Sequence, residues 1–431
     1  MPVRHILTAI LLALLAAQAG FARDPHFITV KGHTFTRAGK PYYFIGANYW
    51  YGSLLGLQED RSRGKARLRS ELDILKANGI TNLRLLGGAE GSGPMNGVTR
   101  VGPPLQPSPG EFDPAVLDGL DLVLYEMGKR GMKAVIFLSN NWEWSGGFQQ
   151  YLIWNGVVGR EYLTNKPSWD DLRDVVAKFY TCKACINGYE RQAAFIVGRR
   201  NRFNGVLYKN DPTIMAWEIA NEPRPMRPVS NDAYRNWISL TAALIKSMDQ
   251  RHLVTIGHEG HIGTQDIGLY REIHADRNID YLTIHIWPKN WGWFVEGKMA
   301  EGFAGIVAET RKYVAENVAV ARELDKPMVI EEFGLPRDSR SLDPGSPTAL
   351  RDRYYREIFS FVGGRSSGDE FIGGANFWAF GGIARPRKGQ PFWKPGDDLT
   401  GDPPMEEQGL NSVFNNDKTT LDIIRSAWRT R

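Results

Sequence analysis

The chain has 431 residues, of which 42% are hydrophobic, 11% aromatic and 23% charged. This composition is typical of a globular protein and excludes a disordered, collagen-like or coiled-coil chain. The formal charge of +5 is small for this length, and Lys and Arg are scattered, so no nucleic-acid partner is expected. The 13 Trp residues are the unusual feature, because flat aromatic faces suit stacking on sugar rings as well as core packing.

The N-terminus has the layout of a secretory signal. Arg4 and His5 precede an apolar run from Ile6 to Ala17, and small residues follow as far as Ala22. This pattern predicts a signal peptide over residues 1–22 and a single mature domain over residues 23–431. The run is too short to cross a bilayer comfortably, and no later segment is apolar enough for a membrane helix. We expect a secreted or periplasmic protein without a membrane partner.

Cys182 and Cys185 are the only cysteines and form a C-x-x-C pattern. No second Cys pair and no nearby His accompany them, which argues against a zinc site. In an oxidising compartment a short structural disulfide is the favoured interpretation, and a redox role is the alternative.

Short β-rich runs alternate with amphipathic helices along the chain. A small hairpin turning at Gly32 comes first and is expected to cover the bottom of the fold. The predicted strands are Tyr43–Asn48, Thr81–Leu86, Met132–Leu138, Ile214–Ala220, Leu253–Gly257, Tyr281–His285, Met328–Glu332 and Phe371–Trp378. The predicted apolar helix faces include Leu68, Leu72 and Leu75; Leu117, Leu120, Leu124 and Met127 after the Asp113-Pro114 start; and Leu240, Leu244, Ile245 and Met248.

Eight strands of continuous apolar character, separated by helices, predict an α/β protein with a single (β/α)8 TIM barrel and long βα loops. A doubly wound open sheet is the rival architecture. It is disfavoured because no G-x-G-x-x-G motif follows any strand.

Polar residues follow the predicted strands, at the end of a barrel where reacting groups lie. Glu222 follows the fourth strand and Glu332 ends the seventh. Two opposed carboxylates are the minimum apparatus of glycoside hydrolysis, although either alone reads equally well as a salt-bridge partner of Arg84.

Six motifs occur in order along the chain, one near each of six strand ends. They are Gly46-Ala47-Asn48-Tyr49-Trp50, Asn82-Leu83-Arg84, Asn140-Asn141-Trp142-Glu143-Trp144, Asn221-Glu222-Pro223-Arg224, His285-Ile286-Trp287-Pro288 and Asn376-Phe377-Trp378. Together with Glu332-Phe333-Gly334, they resemble family 5 glycoside hydrolases and, more narrowly, the endo-β-1,4-mannanases.

The resemblance implies a role for each matched residue. Glu222 is the expected acid/base and Glu332 the expected nucleophile. The expected substrate-binding residues are Arg84, Asn221, Arg224, His285, Trp142, Trp287 and Trp378. Within this set, Arg84 is expected to keep Glu332 ionised, and Trp378 to lie under the cleaved sugar. The surroundings of Glu222 are expected to raise its pKa, because an acid must hold its proton until it donates.

Two details concern the neighbours of these carboxylates. Side chains alternate along a strand, which predicts that Glu331 faces away from the barrel centre and contributes little to activity. Many family 5 enzymes have a Tyr at the position of Trp287, and that Tyr contacts the nucleophile. An indole cannot act as a phenol, so the partner of Glu332 other than Arg84 stays open.

Two weaker patterns remain. The acidic loop 394–409 includes Asp397, Asp402 and Glu406, and either holds calcium or is solvated, with solvation favoured. Trp291 and Trp293 either extend the sugar cleft or pack a loop, with the cleft favoured because they follow His285.

The resulting prediction is a monomeric retaining endo-β-1,4-mannanase acting on β-mannan polysaccharide, without cofactor or metal. Arg224 and the Asn141-Trp142 pair favour mannan. The alternatives are a family 5 hydrolase of another β-glycan such as cellulose, an exo-mannosidase, and a non-catalytic carbohydrate-binding protein. The presence of both Glu222 and Glu332 argues against the non-catalytic alternative.

Overall fold

Eight parallel strands form the centre of the fold in the computed structural model, which describes residues 26–363 and 368–429. They are β1 (Phe44–Asn48), β2 (Asn82–Leu86), β3 (Lys133–Phe137), β4 (Ile214–Glu218), β5 (Leu253–Thr255), β6 (Leu282–Ile286), β7 (Met328–Phe333) and β8 (Ile372–Phe377). Every residue of these strands is buried, because helices cover one side and the barrel interior lies on the other. All eight lie where the sequence predicts them.

The strands are hydrogen-bonded in the order β5-β4-β3-β2-β1-β8-β7-β6, and all neighbours are parallel. Hydrogen bonds also join the two edge strands. Asp280 N donates to Val254 O at 2.8 Å, and Thr255 Oγ1 donates to Tyr281 O at 3.0 Å. These contacts complete the ring, so the predicted TIM barrel is confirmed.

One main helix follows each strand. These helices are α1 (Arg61–Ala77), α2 (Pro114–Lys129), α3 (Lys183–Val197), α4 (Asn231–Met248), α5 (Ile267–His274), α6 (Met299–Leu324), α7 (Ala349–Phe361) and α8 (Lys418–Arg429). The predicted cap of α2 is confirmed, since the Asp113 side chain accepts from Ala115 N at 2.9 Å. The predicted face of α4 was wrong at Leu240, which is 67% exposed. That helix buries Tyr234, Trp237 and Ile238 instead, whose larger area in the core sets its rotation.

A small antiparallel sheet covers the amino-terminal end of the barrel. Its strands are Ile28–Lys31, Thr34–Arg37 and Lys40–Pro41, and the first turn has Gly32 at φ 56°. Ile28 and Phe35 pack in one buried cluster with Tyr281 and Met215 at the start of barrel strands. The predicted hairpin is therefore confirmed.

Two long loops rise over the other end of the barrel. The loop after β3 contains helices Gly147–Trp154 and Trp169–Val176, and the loop after β8 contains short strands Phe380–Gly382 and Val413–Phe414. A disulfide joins Cys182 and Cys185 where the first loop enters α3, as predicted. Residues 1–22, the predicted signal peptide, lie outside the described part of the chain. Within that part, no helix is long and apolar enough to span a membrane.

Candidate active site

A cleft of about 340 Å³ opens at the carboxyl-terminal ends of the strands. Seven of the nine predicted site residues line it: Trp142, Asn221, Glu222, Arg224, Trp287, Glu332 and Trp378. The other two, Arg84 and His285, are wholly buried and contact the cleft carboxylates from the barrel interior. The structure thus brings all nine together.

The two candidate catalytic carboxylates face each other across this cleft. One carboxylate oxygen of Glu222 lies within 4.8 Å of one of Glu332. Retaining glycosidases hold their carboxyl groups about 5–5.5 Å apart, whereas inverting enzymes leave about 6.5–9.5 Å for a water molecule. The short separation favours a retaining reaction. Glu222 also has a positive φ of 51°, which is uncommon for a residue with a side chain.

Glu332 is held by two cationic partners. Arg84 Nη1 donates to its Oε1, and His285 Nδ1 lies 3.2 Å from its Oε2. His285 therefore occupies the role that the Tyr-to-Trp287 difference left open.

Arg84 is the centre of a larger buried network. Its guanidinium donates two bonds to Glu218, from Nε at 2.7 Å and from Nη2 at 2.5 Å. Nη2 also donates to Asn221 Oδ1 at 2.7 Å, and Nη1 to Asn48 Oδ1 at 3.1 Å. Burial alone would lower the pKa of Arg84, but its three glutamate neighbours raise that pKa well above its usual value. The sequence analysis assigns no role to Glu218, although a carboxylate inside an apolar strand signals a buried polar partner.

Glu222 differs electrostatically from what the sequence predicts. It accepts hydrogen bonds from His285 Nδ1 at 2.7 Å and from Trp142 Nε1 at 2.5 Å. Burial alone would raise the pKa of Glu222, but these donors and the charges of His285 and Arg224 lower it to about 2. The prediction of a raised pKa was wrong for the unliganded protein, because the sequence did not show that a charged His would contact this carboxylate.

His285, rather than Glu222, holds the proton that the two residues share. Burial alone would lower the pKa of His285, but the charge of Glu332, the hydrogen bond with Glu222 and the nearby Glu331 raise it well above 6.5. The Glu222–His285 pair therefore keeps one proton near neutral pH. It can pass along their 2.7 Å hydrogen bond to the carboxylate.

This pair predicts a defined pH dependence of stability. His285 has a raised pKa in the folded state, so its contribution is complete below about 6.5 and is lost as the pH rises through the folded value. Glu222 has a lowered pKa, so its contribution is present above about 4.3 and is lost as the pH falls toward 2. We expect His285→Gln to lower the thermal midpoint most near pH 6 and progressively less at higher pH. Scans from pH 5 to 9 measure this difference, and a constant gap would contradict it.

Glu331 also lies inside the barrel, contrary to the alternation argument. Its carboxylate is buried, with Oε2 at 3.6 Å from His285 Nε2 and 3.8 Å from Arg84 Nε. The pairing of β6 with β7 explains why, since Ile284 pairs with Ile330 but His285 pairs with Glu332. Glu331 is the extra residue of this bulge, which breaks the alternation of side chains. Only Glu332 of the two lines the cleft.

Glu331→Gln is consequently expected to reduce kcat about tenfold, an intermediate effect of losing one charge-pair interaction. The Glu331 carboxylate, 3.6 Å from His285 Nε2, raises the pKa of His285, so loss of its charge should move the alkaline limb of the kcat profile to lower pH. A pH–rate profile of both proteins measures this shift. If both the pH profile and kcat were unchanged, Glu331 would contribute little to activity, as the sequence predicts.

The aromatic residues form two groups in the cleft. Trp287 and Trp378 lie edge to face, with ring centroids 6.0 Å apart. On the side of Glu222, the Arg224 guanidinium lies 5.0 Å from the Trp142 ring centroid. Arg224 is held there by Glu259, which accepts from Nη2 at 2.5 Å.

The tryptophans after β6 divide between the two interpretations. Trp291 lines the cleft, as predicted. Trp293 packs against Trp291 and Tyr313 with centroids 5.1 and 6.1 Å away. For Trp293 the loop-packing alternative holds, because Tyr313 on α6 offers it an apolar surface.

Carboxylates of the acidic loop 394–409 accept hydrogen bonds from backbone N–H groups of the loop after β8. Asp402 accepts from the backbone N–H of Gly409 at 2.9 Å and of Asn411 at 3.0 Å, and Asp397 from that of Lys394 at 2.9 Å. Glu406 reaches the cleft, where burial and then the charges of its acidic neighbours raise its pKa to about 8. Among the described residues, the one group of three metal-type ligands is Glu222, His285 and Glu332, which are the two candidate catalytic carboxylates and the His between them.

A TIM barrel with two opposed carboxylates at its mouth, one bound by Arg and one by His, defines a glycoside hydrolase of the retaining geometry. The chain belongs to the glycoside hydrolase family 5 β-mannosidase-like family, whose model matches residues 25–430.

Known relatives agree with this family. The chain is 30% identical to putative mannan endo-1,4-β-mannosidase 9 of Oryza sativa subsp. japonica, over 97% of this chain and 93% of the relative. It is also 30% identical to mannan endo-1,4-β-mannosidase 2 of Arabidopsis thaliana, over 78% and 74% of the two chains. The crystal structure of a family 5 mannosidase from Rhizomucor miehei matches with a TM-score of 0.84 and 33% identity, covering 94% of this chain and 97% of that one.

Proposed function

We propose that the protein is a retaining endo-β-1,4-mannanase that cleaves mannan, glucomannan or galactomannan. The observation that carries the proposal is the separation of less than 4.8 Å between oxygens of Glu222 and Glu332, in a cleft lined by tryptophans. The named mannan endo-1,4-β-mannosidases that this chain resembles support β-mannan as the substrate.

The geometry supports a double displacement. Glu332 attacks the anomeric carbon while Glu222 gives the proton that it receives from His285 to the departing glycosidic oxygen, which breaks the bond and leaves a mannosyl ester on Glu332. Glu222 then takes a proton from water, and the resulting nucleophile attacks the same carbon and releases Glu332. Asn221 binds the sugar 2-hydroxyl in this proposal, and its hydrogen bonds to Arg84 and Asn140 support that role by fixing its amide.

Exo-acting β-mannosidase activity is the second candidate. The structural match to the Rhizomucor miehei family 5 mannosidase favours it, and one such structure is described as a complex with mannosyl-fructose. The loop after β8 also contributes Pro403, Met405 and Glu406 to the cleft wall. A wall at one end of a cleft restricts how far a polysaccharide can extend.

Product analysis separates the candidates. Reducing-sugar assays on galactomannan, glucomannan and carboxymethylcellulose test the substrate class, with activity expected on the first two. An endo enzyme lowers the viscosity of galactomannan early and releases oligosaccharides, whereas an exo enzyme releases mannose with little change in viscosity. Proton NMR should show the β-anomer as the first product, and an initial α-anomer would rule out the retaining mechanism.

The location and assembly are proposed on separate grounds. The signal-like N-terminus supports export to the periplasm or the medium. We also propose that the enzyme acts as a monomer. Fractionation of the producing cells and light scattering of the purified protein test these two points.

A further inference from the structure

Trp169 is an exposed aromatic residue at the edge of the cleft. It begins the helix Trp169–Val176 in the loop after β3, and 48% of its surface is accessible. Ser168 caps this helix, with its Oγ accepting from Asp171 N at 3.2 Å. The helix start is thus fixed by local hydrogen bonds, which holds the Trp169 backbone in place at the rim.

Trp169 continues the aromatic surface of Trp142. The two ring centroids are 6.3 Å apart and their planes differ by 28°. The Arg224 guanidinium lies near both rings, 5.0 Å from that of Trp142 and 5.8 Å from that of Trp169. Because Glu259 holds this guanidinium, the two indoles and Arg224 form one arrayed surface of flat groups.

The cavity also continues past the catalytic pair on this side. A second cavity of about 170 Å³ adjoins the cleft, and both are lined by Trp169, Arg224 and Gln265. Arg173 Nη2 donates to Gln265 Oε1 at 3.2 Å, so the wall between the two loops is hydrogen-bonded. The space beyond Trp142 therefore has an aromatic side and polar groups, as a sugar site requires.

The position of Glu222 indicates on which side of the cleaved bond this surface lies. The acid/base protonates the oxygen that leaves with the departing chain. Trp142 donates to Glu222 at 2.5 Å and so borders the departing sugar. Trp169 stacks on Trp142 and lines both cavities, so it lies next to the position of that sugar.

We propose that Trp169 is a specificity-determining residue that binds a second sugar of the departing β-mannan chain, which rests on the proposed function. Stacking of its exposed indole face on a pyranose ring favours substrates that extend two or more sugars beyond the cleaved bond. The enzyme consequently prefers long chains to aryl glycosides.

The test compares Trp169→Ala with the wild type on substrates of increasing length. On mannopentaose and mannohexaose, kcat/KM should fall about tenfold, mainly through KM, for the loss of one aromatic contact. On 4-nitrophenyl β-mannoside or mannobioside, kcat/KM should stay within about twofold, because the leaving group ends at the aryl ring and places no second sugar at Trp169. Trp169→Tyr should recover most of the loss.

Phe203→Ala is the matched control, since Phe203 is also an exposed aromatic, at 40%, but stacks on Tyr125 away from the cleft. It should leave both substrate classes unchanged. Equal losses on aryl and long substrates, or no loss on long ones, would overturn the role of Trp169. A wild type that cleaves no manno-oligosaccharide would instead overturn the proposed function, so the two failures are distinguishable.

Discussion

Glu332→Ala is expected to lower turnover on every substrate on the order of 10⁵-fold or more, because no other group can form the covalent intermediate. Glu332 is the carboxylate that Arg84 binds, and it lines the cleft opposite Glu222. Glu222→Ala should lower turnover of mannan by about 10²–10⁴-fold, the usual contribution of an acid/base. Steady-state assays of both variants on galactomannan give these ratios.

Azide distinguishes the two roles directly. Glu222→Ala should still form the mannosyl ester from an aryl mannoside whose leaving group needs no protonation, and azide should then attack that ester. The product is a mannosyl azide of retained β-configuration. Glu332→Ala forms no ester, so azide can attack only the substrate and give the α-product. If Glu332→Ala gave the β-azide and Glu222→Ala the α-azide, the two roles would have to be exchanged.

The barrel and the identity of the site could be predicted from sequence because both depend on local patterns. Each buried strand is a short apolar run, and each candidate residue lies within one or in the segment after it, so the barrel topology alone brings Glu222 and Glu332 to the same end. The location of the nine predicted residues at this end of the barrel follows from the order of the strands, without any information on side-chain packing.

The errors arose where contacts between distant segments decide the outcome. The burial of Glu331 depends on a bulge in the pairing of β6 with β7, which neither strand's own pattern reveals. The lowered pKa of Glu222 depends on His285, 63 residues further along the chain. The proposed role of Trp169 likewise depends on its contact with Trp142, 27 residues earlier in the same loop.

Arg84 gives the prediction with the largest expected effect on stability. It is wholly buried and is the shared partner of Glu218 and Glu332. Arg84→Met removes the cation and leaves these carboxylates buried without their counter-charge. Breaking a buried pair in this way costs about 3–5 kcal/mol, and urea unfolding monitored by tryptophan fluorescence measures it.

Two further variants separate folding from catalysis. Arg337 makes a comparable buried pair with Asp417, with Nη1 and Oδ1 2.9 Å apart, on the loop after β7. Arg337→Met should therefore lose similar stability while keeping kcat per folded molecule. Arg84→Lys keeps the charge but cannot donate to Glu218, Asn221 and Glu332 at once, so it should recover part of the stability and little of the kcat. Full activity of Arg84→Lys would mean that the charge alone supports Glu332. If Arg84→Lys loses activity while Arg337→Met stays active, the forked geometry of the Arg84 guanidinium is what orients Glu332 and Asn221.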